Sequence, residues 1–220
     1  MGAELIQIYY ADYQKQYLFP CARPYFNDHL TIFFENSVIA KLVMEAKTDK
    51  IGVFSWKLRE KLRWYIGKPR PVTQEVIETD YDVLSFTRNT KYHKMLEAAS
   101  VWHPEFRPTL DKICGRVGIK VPNEVKTPIY QNSFMAKTDI YQDYVTTYLK
   151  PIMDLVESDQ EIYKLAISDS NYTTLAKQDS ASSEELQRKI GMPYYPIIPF
   201  ILERLFSIYV ENKNINVTWL

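Results

Sequence analysis

Leu5-Ile6-Gln7-Ile8-Tyr9-Tyr10-Ala11, then Phe34, Val38 and Leu42 at four-residue spacing, then Ile51-Gly52-Val53-Phe54-Ser55-Trp56: read in that order, these stretches decide the fold class. The first alternates loosely and is rich in isoleucine and tyrosine, which fits an early buried strand. In the second, Ile39 and Val43 join the spaced residues on one helical face, so a helix is expected over 32–46 with Asp28 or Thr31 near its cap. The third is a short strand bounded by Thr48-Asp49-Lys50, with Lys57 onward turning helical. Strand, helix and strand leave room for a crossover, so 5–11 and 51–56 are expected to be parallel neighbours.

Outward from this unit, Asp12 to Pro24 reads as a long loop, with Pro20 and Pro24 preventing regular structure. Asp82 to Phe86 is a third strand, and Asn89 or Thr90 can cap a helix facing inward through Tyr92, Met95, Leu96 and Ala99. His103-Pro104 has the form of a helix entry, since proline is tolerated where an N–H has no partner. That helix should run through Phe106, Leu110, Ile113 and Cys114 and end near Gly118. A strand is expected over 129–136. Thr138 then caps a helix with Tyr141, Tyr144, Val145, Tyr148, Leu149, Ile152 and Val156 on one face, kinked by Pro151 at about Leu149.

Gln178 to Ser183 reads as an exposed loop, and Ser182 with Glu185 forms a capping box for a short helix ending at Gly191. A helix over 200–210 and a terminal strand with Ile215, Val217 and Trp219 complete the chain. The expectation is one α/β domain over 1–220, with helices flanking a central mixed, mostly parallel sheet that contains 5–11, 51–56 and 82–86.

Composition narrows the classes of function. The 220 residues are 46% apolar and 25% charged, an ordinary globular balance, with 27 basic and 27 acidic side chains. No global field therefore attracts nucleic acid or an acidic membrane. Cys21 and Cys114 form neither a CxxC nor a metal-ligand cluster and read as two buried reduced thiols. No leader-like N-terminus, myristoylation signal or bilayer-spanning apolar run is seen, so a cytoplasmic location is expected and the sequons at Asn171 and Asn216 read as chance matches. Seventeen tyrosines, ten phenylalanines and four tryptophans suit both a core and a sugar or nucleobase platform.

Four constellations can carry chemistry. Glu78, Asp80 and Asp82, at spacings of two, share one side of an extended backbone, where two carboxylates can hold Mg²⁺ or Mn²⁺ against a diphosphate; a solvated turn is the alternative. Lys57, Arg59, Lys61, Arg63, Lys68 and Arg70 concentrate positive charge just after a strand and can hold a leaving diphosphate; a solvated helix face is the alternative. Trp102-His103 can contact a sugar or simply start a helix, and with His29 and His93 the histidines have no metal-binding spacing. Glu203, on an apolar helix, can be a half-buried general base or an ion-pair partner of an arginine. Neither GxGxxG nor a Walker sequence is present.

Ile8-Tyr9-Tyr10, Phe33-Phe34-Glu35-Asn36-Ser37, Val53-Phe54-Ser55-Trp56 and Asp82-Val83-Leu84 together resemble a small GT-A type glycosyltransferase domain, like those of large algal DNA viruses and bacterial surface-polysaccharide clusters. His103-Pro104-Glu105-Phe106, Gln131-Asn132-Ser133-Phe134 and Glu203-Arg204-Leu205-Phe206 extend the resemblance over most of the chain. It implies a nucleotide-diphosphate sugar donor, a UDP-sugar ahead of a GDP-sugar, assisted by Mn²⁺ or Mg²⁺, and transfer to a hydroxyl of a glycan or glycoprotein; inversion and retention both stay open, with inversion preferred. It places the nucleotide at Tyr9 and Tyr10, with Lys57 and Arg59 approaching the phosphates. Asp80 and Asp82 stand as the metal-binding acids and Glu203 as the acceptor base. Asp80-Tyr81-Asp82 departs from the pattern by preceding its strand instead of following one. A non-catalytic carbohydrate- or nucleotide-binding module and a structural or interaction domain are the competing readings.

Overall fold

A computed structural model describes residues 2–60, 62, 72–86, 94–172 and 181–220. It is an α/β structure in which helices flank a six-stranded mixed sheet. The strands are β1 (Ala3–Tyr9), β2 (Arg23–Phe26), β3 (Lys50–Ser55), β4 (Val83–Ser85), β5 (Phe134–Lys137) and β6 (Val217–Trp219), in the order β2-β1-β3-β5-β4-β6. The segments expected at 5–11, 51–56 and 82–86 all contribute strands to this one sheet, and β1 and β3 are parallel neighbours. β2 and β6 are parallel to their partners, whereas β5 runs antiparallel to both β3 and β4.

Period-two alternation gives the sheet two apolar faces. Leu5, Phe54, Leu84 and Met135 pack on one face with Leu58, Ile77, Tyr81 and Phe86. Ile6, Ile8, Val53, Val83, Phe134 and Ala136 face the larger core, built with α1 (Glu35–Glu45) and the helices of the second half. Those expected helices appear with adjusted ends. Met95–Trp102 buries Met95, Leu96 and Ala99 as the spacing requires, while its proposed caps Asn89 and Thr90, with Tyr92, lie outside the described residues. Ser182 accepts from Glu185 N–H at the start of Ser183–Ile190, and Gly191 closes that helix with φ 76°. The side chain of Glu185 does not complete the box; it pairs with Lys189.

Five expectations change. The stretch 12–24 is not a plain loop: it holds a 3-10 helix, Asp12–Tyr17, and the start of β2. Pro24 is tolerated because β2 is an edge strand, where a missing N–H leaves no partner stranded. The strand expected over 129–136 begins only at Phe134, because Gln131 and Asn132 adopt φ of 58° and 52° and turn the chain. Pro104 lies in a turn before Phe106–Arg116 instead of opening that helix. Near Leu149 the kink expected from Pro151 takes the form of a π-helical turn, Val145–Leu149, in which Lys150 N–H donates to Val145 C=O. The C-terminal helix, Ile198–Lys213, is longer at both ends than the periodicity indicated.

Both cysteines are free, but only Cys114 is buried, and burial pushes its thiol up to about 12. Cys21 is partly exposed. Among the described residues no helix is long and apolar enough to cross a membrane.

Candidate functional site at the carboxyl edge of the parallel strands

The chain leaves β1 to one side to form β2, then returns to form β3 on the other side of β1, with all three strands parallel. Such a reversal opens a crevice outside the carboxyl ends of the strands, where open α/β sheets bind ligands. Here the crevice lies beside Tyr9 and Tyr10 at the end of β1 and Trp56 and Lys57 just past β3; Trp56 N–H donates to Ile8 C=O at 2.8 Å. An open cleft of about 430 Å³ is lined by Tyr9, Tyr10, Ala11, Asp12 and Phe26.

The 3-10 helix after β1 is held against this edge by one side chain. Buried Gln14 turns its Oε1 to the N–H groups of Tyr10 and Ala11, at 2.6 and 3.2 Å. That anchor presents Tyr13 and Tyr17, 63% and 43% exposed, to the Trp56 ring, with centroids 6.2 and 5.5 Å from it. Lys57 Nζ lies 5.6 Å over Trp56, and Lys15 Nζ lies 5.2 Å over Tyr9 while pairing with Asp12. An aromatic platform carrying two cations is suited to flat or ring-shaped anionic ligands.

On the α1 side of the same edge, polar groups accumulate. Asn27 follows β2, and its N–H donates to Tyr9 C=O. Glu35 and Asn36 begin α1, and Asn132, just before β5, donates to Asn36 Oδ1 at 3.2 Å. Glu35 lies beside the Tyr10 hydroxyl; burial first, and this carboxylate second, push that phenol well above its ordinary range. Buried polar atoms almost always find partners. Among the described residues the Tyr10 hydroxyl, Asn27 Nδ2 and Gln131 Oε1 on segments at this edge are buried without a well-formed hydrogen bond, as are Arg204 Nε, Thr138 Oγ1 and the Tyr141 and Tyr144 hydroxyls elsewhere.

Backbone strain gathers in the same place: Phe34, immediately before α1, has φ 53° and ψ −130°, and Gln131 and Asn132 are left-handed. Conformations of this kind cost about 1–3 kcal/mol each and cluster at functional sites. Phe34 is held by stacking on Tyr195, with centroids 5.7 Å apart.

The sequence-derived candidates divide between two ends of the sheet. Tyr9 and Tyr10 line the cleft at the carboxyl edge, Lys57 follows the neighbouring strand at that edge with its Nζ over Trp56, and Arg59 lies exposed two residues beyond Lys57. Lys61, Arg63, Lys68, Arg70 and His93 lie outside the described residues. Asp80 and Asp82 are at the opposite edge. Val83 is level with Ala136, Ala136 with Ile51, and Ile51 with Glu4, so Asp82 sits at the level of Ala3. At about 3.3 Å per residue, the six steps of β1 from Ala3 to Tyr9 separate the two groups by roughly 20 Å.

Asp82 accepts from Lys137 Nζ at 2.7 Å, Asp80 and Glu78 are exposed, and Tyr81 between the aspartates is buried. These acids therefore do not fit as ligands of a cation bound against a diphosphate at the carboxyl edge. Among the described residues no three His, Cys, Asp or Glu side chains group to hold a metal.

Glu203 is half-buried and pairs with its neighbour Arg204 at 2.9 Å instead of an arginine elsewhere. Arg204 also donates to Phe200 C=O and lies 5.9 Å over Phe106. His103 is buried, its Nδ1 2.7 Å from Ser170 C=O and its ring 4.1 Å from Phe200, whereas Trp102 is 49% exposed. His103 thus packs as a structural residue. Glu35 and Asn27 were absent from the sequence-derived candidates. A half-buried carboxylate at the first turn of the helix after β2 is the signal that leads to Glu35. Compared with models of known protein families, with curated proteins and with solved structures, the chain matches none.

Proposed function

We propose that the protein is a glycosyltransferase that binds a nucleotide-diphosphate sugar, a UDP-sugar ahead of a GDP-sugar, at the carboxyl edge of β1 and β3 and transfers the sugar to a glycan hydroxyl. One observation carries the reading: at the strand-order reversal a cleft lined by Tyr9, Tyr10 and Phe26 opens at the end of β1, and Trp56, with Lys57 over its ring, follows the neighbouring strand β3 at the same edge, which supplies ring faces for a base or sugar and a cation for phosphate. The segments on which the resemblance to GT-A domains rests at Tyr9-Tyr10, Phe34-Glu35-Asn36, Ser55-Trp56 and Gln131-Asn132-Ser133 also converge on this edge.

In this reading the rings orient the donor, and Lys57 stabilises charge developing on the departing diphosphate, the electrostatic role such groups play in transferase transition states. Asp80 and Asp82, at the far edge of the sheet, take no part in donor binding at the carboxyl edge. Glu203 serves the acceptor side only if the acceptor reaches the Glu203–Arg204 pair near the start of its helix.

Titration calorimetry of the full chain with UDP, GDP and their common sugar conjugates tests the reading, alongside Trp56→Ala and Lys57→Ala. Saturable binding that both variants weaken by about 10-fold or more supports it, the scale expected for lost stacking and charge-assisted contacts. Absence of binding by every nucleotide, or binding indifferent to both substitutions, refutes it. Sugar release into solution or onto an oligosaccharide then separates a transferase from a binding module.

A further inference from the structure

The cleft at the end of β1 is lined by elements that the fold holds in place. Tyr9 and Phe26 are register partners on parallel β1 and β2, so their side chains leave the same face of the sheet, with ring centroids 5.3 Å apart. Asn27 N–H donates to Tyr9 C=O at 2.9 Å and secures the end of β2. Ala11 and Asp12, which also line the cleft, lead into the 3-10 helix that buried Gln14 fixes to the end of β1 through the N–H groups of Tyr10 and Ala11. At about 430 Å³ the cleft falls in the range of ligand sites, roughly 300–1,000 Å³, and it opens to solvent.

Two of the lining side chains are open to a ligand. Phe26 is 51% exposed, and the side chain of Asp12 is 90% exposed. A single ring left in water needs no explanation. Phe26, however, belongs to a concentration: of the seven large apolar side chains exposed among the described residues, Tyr13, Tyr17 and Phe26 all lie at this edge. Asp12 pairs with Lys15 at 2.9 Å, and Lys15 Nζ lies 5.2 Å over the Tyr9 ring, so an ion pair of no net charge sits beside the Tyr9 and Phe26 rings.

That combination suits a neutral polyhydroxyl ring. The C–H face of a pyranose covers an exposed aromatic ring, while a carboxylate accepts from its hydroxyls and an ammonium donates to their oxygens. A diphosphate fits less well, because Asp12 repels it and neutralises Lys15. The cation for the donor lies on another side of the 3-10 helix: Asp12 and Lys15, three residues apart, share the side turned to Tyr9, whereas Tyr13 and Tyr17 turn to Trp56 with Lys57 over its ring. We infer that the β1–β2 cleft binds a neutral pyranose of a glycan, stacked on Phe26 and hydrogen-bonded to Asp12. In the glycosyltransferase reading, on which this role rests, that glycan is the acceptor.

The test is ligand-observed NMR titration of the full chain with neutral oligosaccharides of glucose, galactose, mannose and N-acetylglucosamine, beside calorimetry with UDP, GDP and their sugar conjugates. Wild type is expected to bind at least one of the oligosaccharides saturably. Phe26→Ala should weaken that binding about 10-fold and Asp12→Ala about 3- to 10-fold, the scale of one stacked ring and one partly solvated hydrogen bond to a charged group. Phe26→Trp, which keeps a ring, should bind as wild type does. Phe26→Ala should weaken UDP and GDP less than it weakens the oligosaccharide, since Trp56 and Lys57 are untouched. Both side chains are exposed, so the thermal midpoint should hold.

A wild-type protein that binds a nucleotide but no oligosaccharide of the panel overturns the inference and leaves the nucleotide-sugar reading standing. Oligosaccharide binding that Phe26→Ala leaves intact overturns it too, and a loss confined to UDP-sugars assigns the cleft to the donor's own sugar. Oligosaccharide binding that depends on Phe26, without affinity for any nucleotide, overturns the glycosyltransferase reading and keeps the cleft as a saccharide site. If no probe binds, both fall. Should Phe26→Ala fail to fold, Asp12→Ala decides in its place by the same outcomes.

Discussion

Ser207→Ala is the substitution whose cost can be worked most directly from the structure. Ser207 is fully buried in the C-terminal helix, and its hydroxyl accepts from Ile129 N–H at 2.8 Å and donates to Ile129 C=O at 3.0 Å. Ile129 is itself 1% exposed, so neither of its backbone groups has water to fall back on. Alanine leaves both without that partner. At about 1–3 kcal/mol for each stranded group, less the relief of no longer burying a hydroxyl, the loss should be about 2–4 kcal/mol.

For a chain of this size that is a fall in Tm of about 4–16 °C. The same contact fixes the start of the 129–133 turn, where left-handed Gln131 and Asn132 reach the carboxyl edge, so ligand affinity should fall along with stability. Urea unfolding followed by circular dichroism measures the change, with the slope unchanged and the midpoint lowered. A loss below about 0.5 kcal/mol would mean that Ile129 finds other partners, and the reasoning from unpaired buried groups would be refuted for this site.

Three further outcomes follow from the geometry. Asp82→Asn should leave affinity for UDP or GDP unchanged, with and without Mn²⁺, because Asp82 pairs with Lys137 at the far edge of the sheet; a changed metal response in calorimetry would return the donor site to that edge. Tyr10→Phe should leave Tm unchanged or slightly higher, since the deleted hydroxyl is buried and makes no well-formed hydrogen bond; a drop of several degrees would show that Glu35 or Asn27 is a strong partner. Burial, aided by the nearby charge of Arg204 and opposed by the Ser170 contact, holds His103 below its ordinary value of 6.5. As pH falls below about 6.5 the unfolded chain takes up this proton before the folded one, so stability declines on the acid side and levels off below the folded value. His103→Gln should flatten that part of a urea-midpoint profile, and an identical slope in the variant would exclude His103 as its source.

Where the fold was legible in advance, local periodicity carried it. Ile6 and Ile8 against Leu5, and Val53 against Phe54, alternate between two buried faces, and Val38, Ile39, Leu42 and Val43 repeat at helical spacing. These signals need no knowledge of distant residues. Strand β2 escaped because Pro24 usually argues against a strand, and only its position at the sheet edge removes the penalty. The early end assigned to β5 has a similar cause: tertiary contacts hold Gln131 and Asn132 in left-handed conformations that the apolar run around them does not announce.

At the candidate site the division is sharper. That Tyr9, Tyr10 and Lys57 share one edge of the sheet was legible because each ends or follows a strand, and parallel strands place such positions side by side. For Asp80 and Asp82, period two established a shared side of an extended segment but carried no information about which edge of the sheet that segment reaches. The antiparallel insertion of β5 between β3 and β4 leaves β4 parallel to β1, and Asp82, preceding β4, consequently lies at the edge remote from Tyr9. The sequence by itself determined the α/β class, the strands at 5–11, 51–56 and 82–86 and the amphipathic helices, because their patterns are local and periodic. Only the tertiary structure decided strand order, the pairing of Asp82 with Lys137 and the meeting of Glu35 with Tyr10, because those depend on which backbone hydrogen bonds form between segments far apart along the chain.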